Sequence, residues 1–162
     1  MKPAITISEL LSTLPQQGIV EWIGLRPARR EPLQSAIQVQ LTVDSGLVGD
    51  RYAGRSRKRQ VTLLQYEHLN VIASMLHRDN VDPALLRRNL CVSGINLLAL
   101  KGKRFTVGTA VLECTGLCHP CSRMEETFGA GGYNAVRGHG GITACVVESG
   151  SLALHDTVTT LT

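Results

Sequence analysis

Residues 36–43 show a regular alternation of apolar and polar side chains. The apolar members of the run are Ile37, Val39, Leu41 and Val43. Polar residues separate them, and a period of two predicts a strand with one buried face and one wet face. This segment therefore predicts that the chain contains a β-sheet with one buried face.

Further short strands are predicted between glycine and aspartate turns. They are residues 18–24, 61–65, 90–92, 104–107, 110–114, 142–148 and 157–161. Apolar residues at helical spacing predict a helix over residues 67–78 that covers one face of the sheet. A short helix is predicted over residues 83–88, with Asp82 as its cap. Many short strands and few helices predict a mainly β fold, either a barrel or a sandwich.

Two glycine-rich segments, residues 129–132 and 137–141, are predicted to be loops, possible walls of a pocket mouth. No helix is predicted after either of them, which argues against a nucleotide-binding loop.

The composition points to one domain spanning residues 1–162, a length that buries roughly 70% of the unfolded chain's surface. The five cysteines are an odd set, and the first residues lack the pattern of a signal peptide. A reducing cytoplasm is therefore the expected location. No run approaches the ~20 apolar residues that span a bilayer, so no membrane association is expected.

The formal net charge is +4, but the cations are clustered. The clusters are Arg26, Arg29 and Arg30; Arg55, Arg57, Lys58 and Arg59; and Arg87 and Arg88. Guanidinium groups favour phosphate because they form paired, charge-assisted hydrogen bonds. Nucleic acid is not the expected partner, because aromatic residues make up 4% of the chain and none interrupts the basic runs. For residues 55–59 alone, a solvated basic loop is an equal alternative.

Cys118 and Cys121 lie close together in a Cys-His-Pro-Cys run. Ser122 and Glu125 have the spacing of a capping box, which predicts a helix that starts at about Arg123 and leaves Cys121 just before its positive end. That position and the nearby Arg123 favour a thiolate. A small core residue is the alternative for Cys121.

Two other interpretations of the thiol pair remain open. A structural zinc site needs four ligands, so His119, His139 or Cys91 would have to complete it. A thioredoxin-like redox pair is also compatible with the run, although that fold places its pair early, after a first strand. For Cys114 and Cys145, packing within strands is the favoured role.

Three polar residues are further candidates. Asp50 is predicted to pair with Arg51 and present it to a ligand, or to form a simple turn salt bridge. Asn89 either bonds the backbone at a tight junction or touches a heterocycle. Arg87 is in a similar position.

Five motifs in order along the chain resemble the MOSC domain, named for the C-terminal region of molybdenum-cofactor sulfurase. They are Gly-Leu-x-Gly-Asp-Arg at 46–51, Arg-x-Asn-Leu-x-Val-x-Gly at 87–94, Phe-x-Val-Gly at 105–108, Cys-x-Pro-Cys at 118–121, and Arg137 followed by glycines. The resemblance runs from about residue 18 to residue 161.

The resemblance implies a closed, mostly antiparallel β-barrel with a few peripheral helices. It implies a molybdenum cofactor (molybdopterin), and it carries a family-level link to pyridoxal phosphate. By similarity, Cys121 matches the cysteine that ligates molybdenum or accepts sulfur. Arg51, Arg87 and Asn89 match positions that hold the pterin and its phosphate.

The implied activity is a molybdenum-dependent reduction of small N-hydroxylated compounds. A carrier that receives persulfide sulfur on Cys121 is the alternative, and a structural zinc module is another. The chain lacks the N-terminal barrel region and the electron-delivering domain of the amidoxime reducers, so we expect an electron-donor protein, or a cysteine desulfurase for the carrier. His155 also replaces the glycine usual before the last strand.

Overall fold

The computed structural model describes residues 1–51 and 56–161, and within them it has eleven strands and four α-helices. The strands are β1 (Gly18–Leu25), β2 (Gln34–Ser35), β3 (Gln38–Thr42), β4 (Gly46–Leu47), β5 (Val61–Gln65), β6 (Leu90–Ser93), β7 (Arg104–Val107), β8 (Ala110–Leu117), β9 (Ile142–Glu148), β10 (Gly150–Ala153) and β11 (Thr157–Thr160). The helices are α1 (Ile7–Ser12), α2 (His68–Met75), α3 (Ser122–Phe128) and α4 (Gly132–Val136). Arg55 of the predicted basic cluster lies outside the described residues.

Seven of these described strands form a closed barrel in the order β11-β7-β8-β9-β5-β6-β1. The barrel closes where Gly18 and Ile19 of β1 pair with Val158 and Thr157 of β11. β2 extends β1 on one side, and β10, β3 and β4 form a separate small sheet. The predicted mainly β fold and closed barrel are confirmed.

The barrel is mixed, because β5 and β6 run parallel while the other pairs are antiparallel. A parallel pair requires a crossover, and here the chain from β5 to β6 passes through α2 and a 3-10 helix at Pro83–Leu86. Every residue of β5 is buried, as expected for a strand covered on both faces.

Two apolar clusters stabilise the fold. The larger fills the barrel and includes the fully buried Phe105 and Ile23. The smaller lies outside the barrel, where Ile72 of α2 and Met124 of α3 pack near Leu64 of β5. The predicted helix after β5 does therefore cover one face of the sheet, although it ends at Met75, three residues before the predicted end.

Several boundaries differ from the predictions. β3 begins at Gln38, and Ile37 is 76% exposed. α1 was not predicted, and neither was α4, so a helix does follow the first glycine-rich segment. Gly131 precedes α4 with φ 91°, and a side chain on Gly132 would collide with the Met124 carbonyl oxygen, 2.3 Å away. These glycines serve a tight helix-to-helix turn.

The turn before β11 has His155 where the resemblance described above implies a glycine. His155 takes a left-handed conformation there, with φ 71°. The Asp156 carboxylate accepts a hydrogen bond of 2.9 Å from the Ala153 N–H and closes the turn. Histidine therefore stands in place of glycine at this position, and the turn is still left-handed.

Candidate functional site

A cavity of about 470 Å³ lies where the segments after β1 and β8 meet the segments before β5 and β6. Its described lining contains eight arginines and no aspartate or glutamate. The arginines are Arg26, Arg29, Arg30, Arg51, Arg59, Arg87, Arg88 and Arg123. We call this space the basic cavity. A concentration of guanidinium groups of this kind favours a multiply charged anion.

Cys121 lines the basic cavity with an exposed side chain. It occupies the position just before α3, in an extended conformation. The predicted placement of Cys121 at the start of a helix is therefore confirmed. The thiol is open to a ligand or to another protein.

The predicted capping box at the start of α3 is wrong. Ser122 is already inside the helix, and no side chain caps its first turn. Glu125 instead accepts hydrogen bonds from the N–H groups of Gly131 (3.2 Å) and Tyr133 (3.1 Å). These bonds lower the pKa of the Glu125 carboxyl below its usual range. The carboxylate stabilises the start of α4, a helix that the sequence pattern did not reveal.

Cys118 differs sharply from Cys121, because only 3% of its surface is exposed. Its N–H donates a 2.8 Å hydrogen bond to the Gly141 carbonyl. The Arg59 guanidinium lies 3.9 Å from its sulfur. The two thiols of the Cys-His-Pro-Cys run are thus a buried sulfur beside a cation and an exposed sulfur at the cavity wall.

Arg87 takes a left-handed conformation, with φ 57°, and its side chain bonds a different segment from that of Arg88. The Arg87 guanidinium donates to the Glu31 carbonyl at 2.9 Å. Burial lowers the pKa of Arg87, and the nearby charges of Arg123 and Arg26 lower it further. Crowded cations of this kind are stabilised by an anion bound among them.

Arg88 is buried, yet it has no carboxylate partner among the described residues. It donates to the carbonyls of Gly140 (2.8 Å) and Leu86 (3.0 Å), and at 3.5 Å to that of His119. Arg88 therefore ties the Cys-His-Pro-Cys run to the loop after α4. Sequence reasoning placed it in a basic cluster but assigned it no role.

Asn89 does not line the basic cavity, and it is fully buried. Its Oδ1 accepts hydrogen bonds from the N–H (3.0 Å) and hydroxyl (3.2 Å) of Thr62, and its Nδ2 donates to the Gly24 carbonyl at 3.1 Å. Thr62 does line the cavity, so Asn89 supports the wall from behind. These contacts match the backbone-bonding alternative, and contact of Asn89 with a cofactor stays a prediction.

Asp50 does not pair with Arg51 in the structure. Its carboxylate holds Arg26 instead, with Oδ2 3.0 Å from the Arg26 Nη2. Arg51 is exposed and lines the basic cavity, where the prediction placed it, and its N–H donates to the Arg26 carbonyl. The predicted ion pair is thus wrong in its partner, because the turn brings Asp50 back beside the end of β1.

The zinc interpretation lacks a ligand set in the described residues, which hold no group of three or more His, Cys, Asp or Glu side chains suited to a metal ion. Burial raises the pKa of the Cys91 thiol to about 12, which further disfavours it as a ligand. The thiol pair also follows β8, late in a strand-rich chain, unlike the thioredoxin arrangement, in which the pair comes after a first strand.

A family model for the MOSC domain matches residues 48–159. The chain belongs to the MOSC family. The matched range contains the basic cavity's Arg51, Arg87 and Cys121. Curated protein sequences give no match to this MOSC protein.

Solved structures share the MOSC fold of this chain. The YuaD protein from Bacillus subtilis has a TM-score of 0.77 at 19% identity, covering 90% of this chain and 97% of YuaD. YiiM from Escherichia coli has a TM-score of 0.70 at 19% identity, covering 91% and 71%. YiiM from Geobacillus stearothermophilus has a TM-score of 0.69 at 15% identity, covering 90% and 75%. No helix in the described part of this MOSC protein is long and apolar enough to cross a membrane.

Proposed function

We propose that this MOSC protein binds the molybdopterin form of the molybdenum cofactor in the basic cavity and reduces small N-hydroxylated compounds. One observation supports this proposal: the exposed Cys121 thiol and eight arginines line the same cavity. A phosphate group fits the arginines, and a soft thiolate fits a metal that also has sulfur ligands. The donor set therefore suits both ends of such a cofactor.

Each residue has a separate task in this proposal. Cys121 ligates the metal, and Arg51 and Arg87 hold the phosphate. Arg88 fixes the run that carries Cys121 through its bonds to the carbonyls of Gly140 and His119. When bound, the cofactor supplies the two-electron chemistry, while the chain supplies orientation and positive charge.

Reduction of an N-hydroxylated amine consumes two electrons and two protons, breaks the N–O bond, and releases the amine and water. An electron-donor protein is the proposed source of the electrons. The exposure of Cys121 favours an open approach for the substrate to the metal, because nothing in the described residues covers the thiol.

The same exposure supports a second candidate, a sulfur carrier. The Cys121 thiolate would attack the outer sulfur of a persulfide on a cysteine desulfurase. The new S–S bond forms on Cys121, the old one breaks, and the desulfurase recovers its thiolate. Buried Cys118 is shielded from such an encounter.

The deciding experiment measures molybdenum per chain by elemental mass spectrometry after purification from a host that makes molybdopterin. We expect molybdenum in the wild type and in Cys145→Ala, and its loss in Cys121→Ala. Cys145 is a suitable control because it lies on β9, outside the lining of the basic cavity. Metal-loaded wild type should then reduce hydroxylamine-type substrates with an added reductant.

Absence of molybdenum from the wild type would overturn the reductase proposal. The carrier would then be tested by incubation with a cysteine desulfurase and cysteine, followed by cyanolysis of labile sulfur. Sulfur on the wild type and on Cys145→Ala, but not on Cys121→Ala, would support the carrier. Equal sulfur on all three proteins would overturn it.

A further inference from the structure

A second cavity, of about 420 Å³, lies on the other side of the Cys-His-Pro-Cys run. It shares Cys118 and His119 with the basic cavity. Its wall is otherwise largely apolar, and we call it the apolar cavity. The apolar side chains in the wall are Leu97, Leu98, Leu117, Pro120 and Ile142. Its size falls in the range of cavities that hold small organic ligands.

Two of these side chains are unusually exposed for leucine. Leu98 is 54% exposed and Leu117 is 49% exposed. Leu98 lies in the 3-10 helix at Leu97–Leu100 and Leu117 ends β8, so two separate elements present apolar surface to one space. A ligand with an apolar body would remove that surface from water.

The floor of the apolar cavity is built by close backbone contacts. A side chain on Gly140 would lie 2.0 Å from the Cys118 carbonyl oxygen, and one on Gly141 would lie 1.9 Å from that of Leu63. Glycine alone allows this approach, and the Gly141 carbonyl accepts the Cys118 N–H. The loop that carries Arg137 is therefore held against the wall before any ligand arrives.

The charge of the lining is one-sided. Among the described lining residues Arg137 is the one arginine or lysine, and there is no aspartate or glutamate. The Arg137 guanidinium is exposed and makes no hydrogen bond or salt bridge with the described residues. Gln65 is already engaged, because its Nε2 donates to Glu67 and its Oε1 accepts the Leu97 N–H. Arg137 is thus the arginine or lysine of the described lining that is available to an anion.

We propose that the apolar cavity binds a small organic carboxylate, with its apolar body against Leu98 and Leu117 and its carboxylate paired with Arg137. His68, which also lines the cavity, is compatible with this ligand. Burial and the nearby His139 lower the pKa of His68, so it is a neutral hydrogen-bonding group at neutral pH. The site shares Cys118 and His119 with the basic cavity, but its ligand contacts lie on other residues and do not depend on a bound cofactor.

The test uses 2-naphthoate as the probe and ¹H–¹⁵N NMR titration of the protein without cofactor. We expect saturable shifts at amides around the apolar cavity. Arg137→Gln should weaken binding by about tenfold, the loss of one charge-assisted pair. Leu98→Asp should weaken it further, because it places a negative charge against the apolar body. Both positions are exposed, so the variants should keep the wild-type spectrum elsewhere.

Two controls identify the contact. The uncharged 2-naphthamide should bind wild type more weakly than the carboxylate does, and Arg137→Gln should abolish that difference. Arg87→Gln, in the basic cavity, should leave naphthoate affinity unchanged. The proposal is overturned if naphthoate fails to bind at millimolar concentration, if Arg87→Gln removes binding, or if Arg137→Gln lowers the affinities of both probes equally. None of these outcomes bears on molybdenum content.

Discussion

Asp50 holds Arg26 through three hydrogen bonds, to its backbone N–H (2.7 Å), its Nε (3.2 Å) and its Nη2 (3.0 Å). The Asp50 side chain is 1% exposed. The pair fixes the end of β1 to the turn that leads to Arg51. One of the eight cavity arginines is thereby neutralised, while the chain beside it is held in place.

Asp50→Asn should lower the free energy of unfolding by about 2–3 kcal/mol, because a buried hydrogen-bonded ion pair loses one charge and at least one good acceptor. Urea unfolding followed by circular dichroism measures the change. Asp44→Asn is the control, since Asp44 is an exposed turn residue. Equal unfolding midpoints for the two variants would contradict the structural role of the pair.

Arg87→Gln should reduce the affinity for inorganic pyrophosphate by about tenfold, because one charge-assisted contact to the anion is lost. Isothermal titration calorimetry on the protein without cofactor gives the constant. Arg104→Gln is the matched control, as Arg104 lies on β7 beside Glu113, outside the lining of the basic cavity. If both variants bind alike, the cavity is not the anion site.

Asn89→Ala should cost about 3 kcal/mol of stability, because the substitution leaves the Thr62 N–H and the Gly24 carbonyl without their buried partner. Urea unfolding tests this, with exposed Asn80→Ala as the control. If Asn89 served only to contact a ligand, the substitution would leave the free energy of unfolding unchanged. An unchanged value would therefore contradict the role of Asn89 in supporting Thr62.

Cys121 should react with iodoacetamide in the native protein well before Cys91. Cys121 is exposed, whereas burial raises the pKa of Cys91 to about 12. At pH 8 the thiolate fraction of Cys91 is then about one in ten thousand, and the thiol is inaccessible as well. Peptide mass spectrometry follows each site with time. Labelling of Cys91 at the rate of Cys121 without unfolding would show that β6 is not packed as described.

Glu125→Gln should weaken the protein at neutral pH but not in acid. The folded-state pKa of Glu125 is lowered, so its contribution to stability is present above the carboxyl's ordinary pKa and is lost as the pH falls through the lowered value. Urea midpoints of wild type and variant should therefore differ at neutral pH and converge in strong acid. Exposed Glu126→Gln should match wild type throughout; a gap that persists in acid would point to packing instead.

Eight strands could be predicted because their signal is local, whereas the short strands β2, β4 and β10 were not predicted. Residues 18–24 and 61–65 read as strands from their own side chains, and β8 was missed only in its last three residues. Those residues pair with β9 across a bulge between Cys114 and Gly116, where the alternation that marks a strand is interrupted. The parallel pairing of β5 with β6 could not be predicted from either strand's own residues. It depends on the path that the chain takes between them, through α2 and the 3-10 helix at Pro83–Leu86.

The site was predictable in its chemistry but not in its pairings. The arginines and Cys121 could be named from residue type and motif, and the structure brings Arg51, Arg87 and Cys121 to one cavity. The partner of Asp50 and the buried role of Asn89 depend on contacts between positions 24 and 27 residues apart. The apolar cavity was foreseen in part, because residues 137–141 were predicted to line a pocket mouth and do line it. Its other walls come from three separated segments, and the sequence pattern does not show that these meet.

The closure of the barrel links residue 18 to residue 158, almost the full span of the chain. The chain is synthesised from its N-terminus, so β1 is made about 130 residues before β11. During that interval the edge of β1 that later receives β11 is unpaired, and such edges recruit foreign strands. Until β11 is made, this edge of β1 is therefore a site where a newly made chain can pair with a foreign strand.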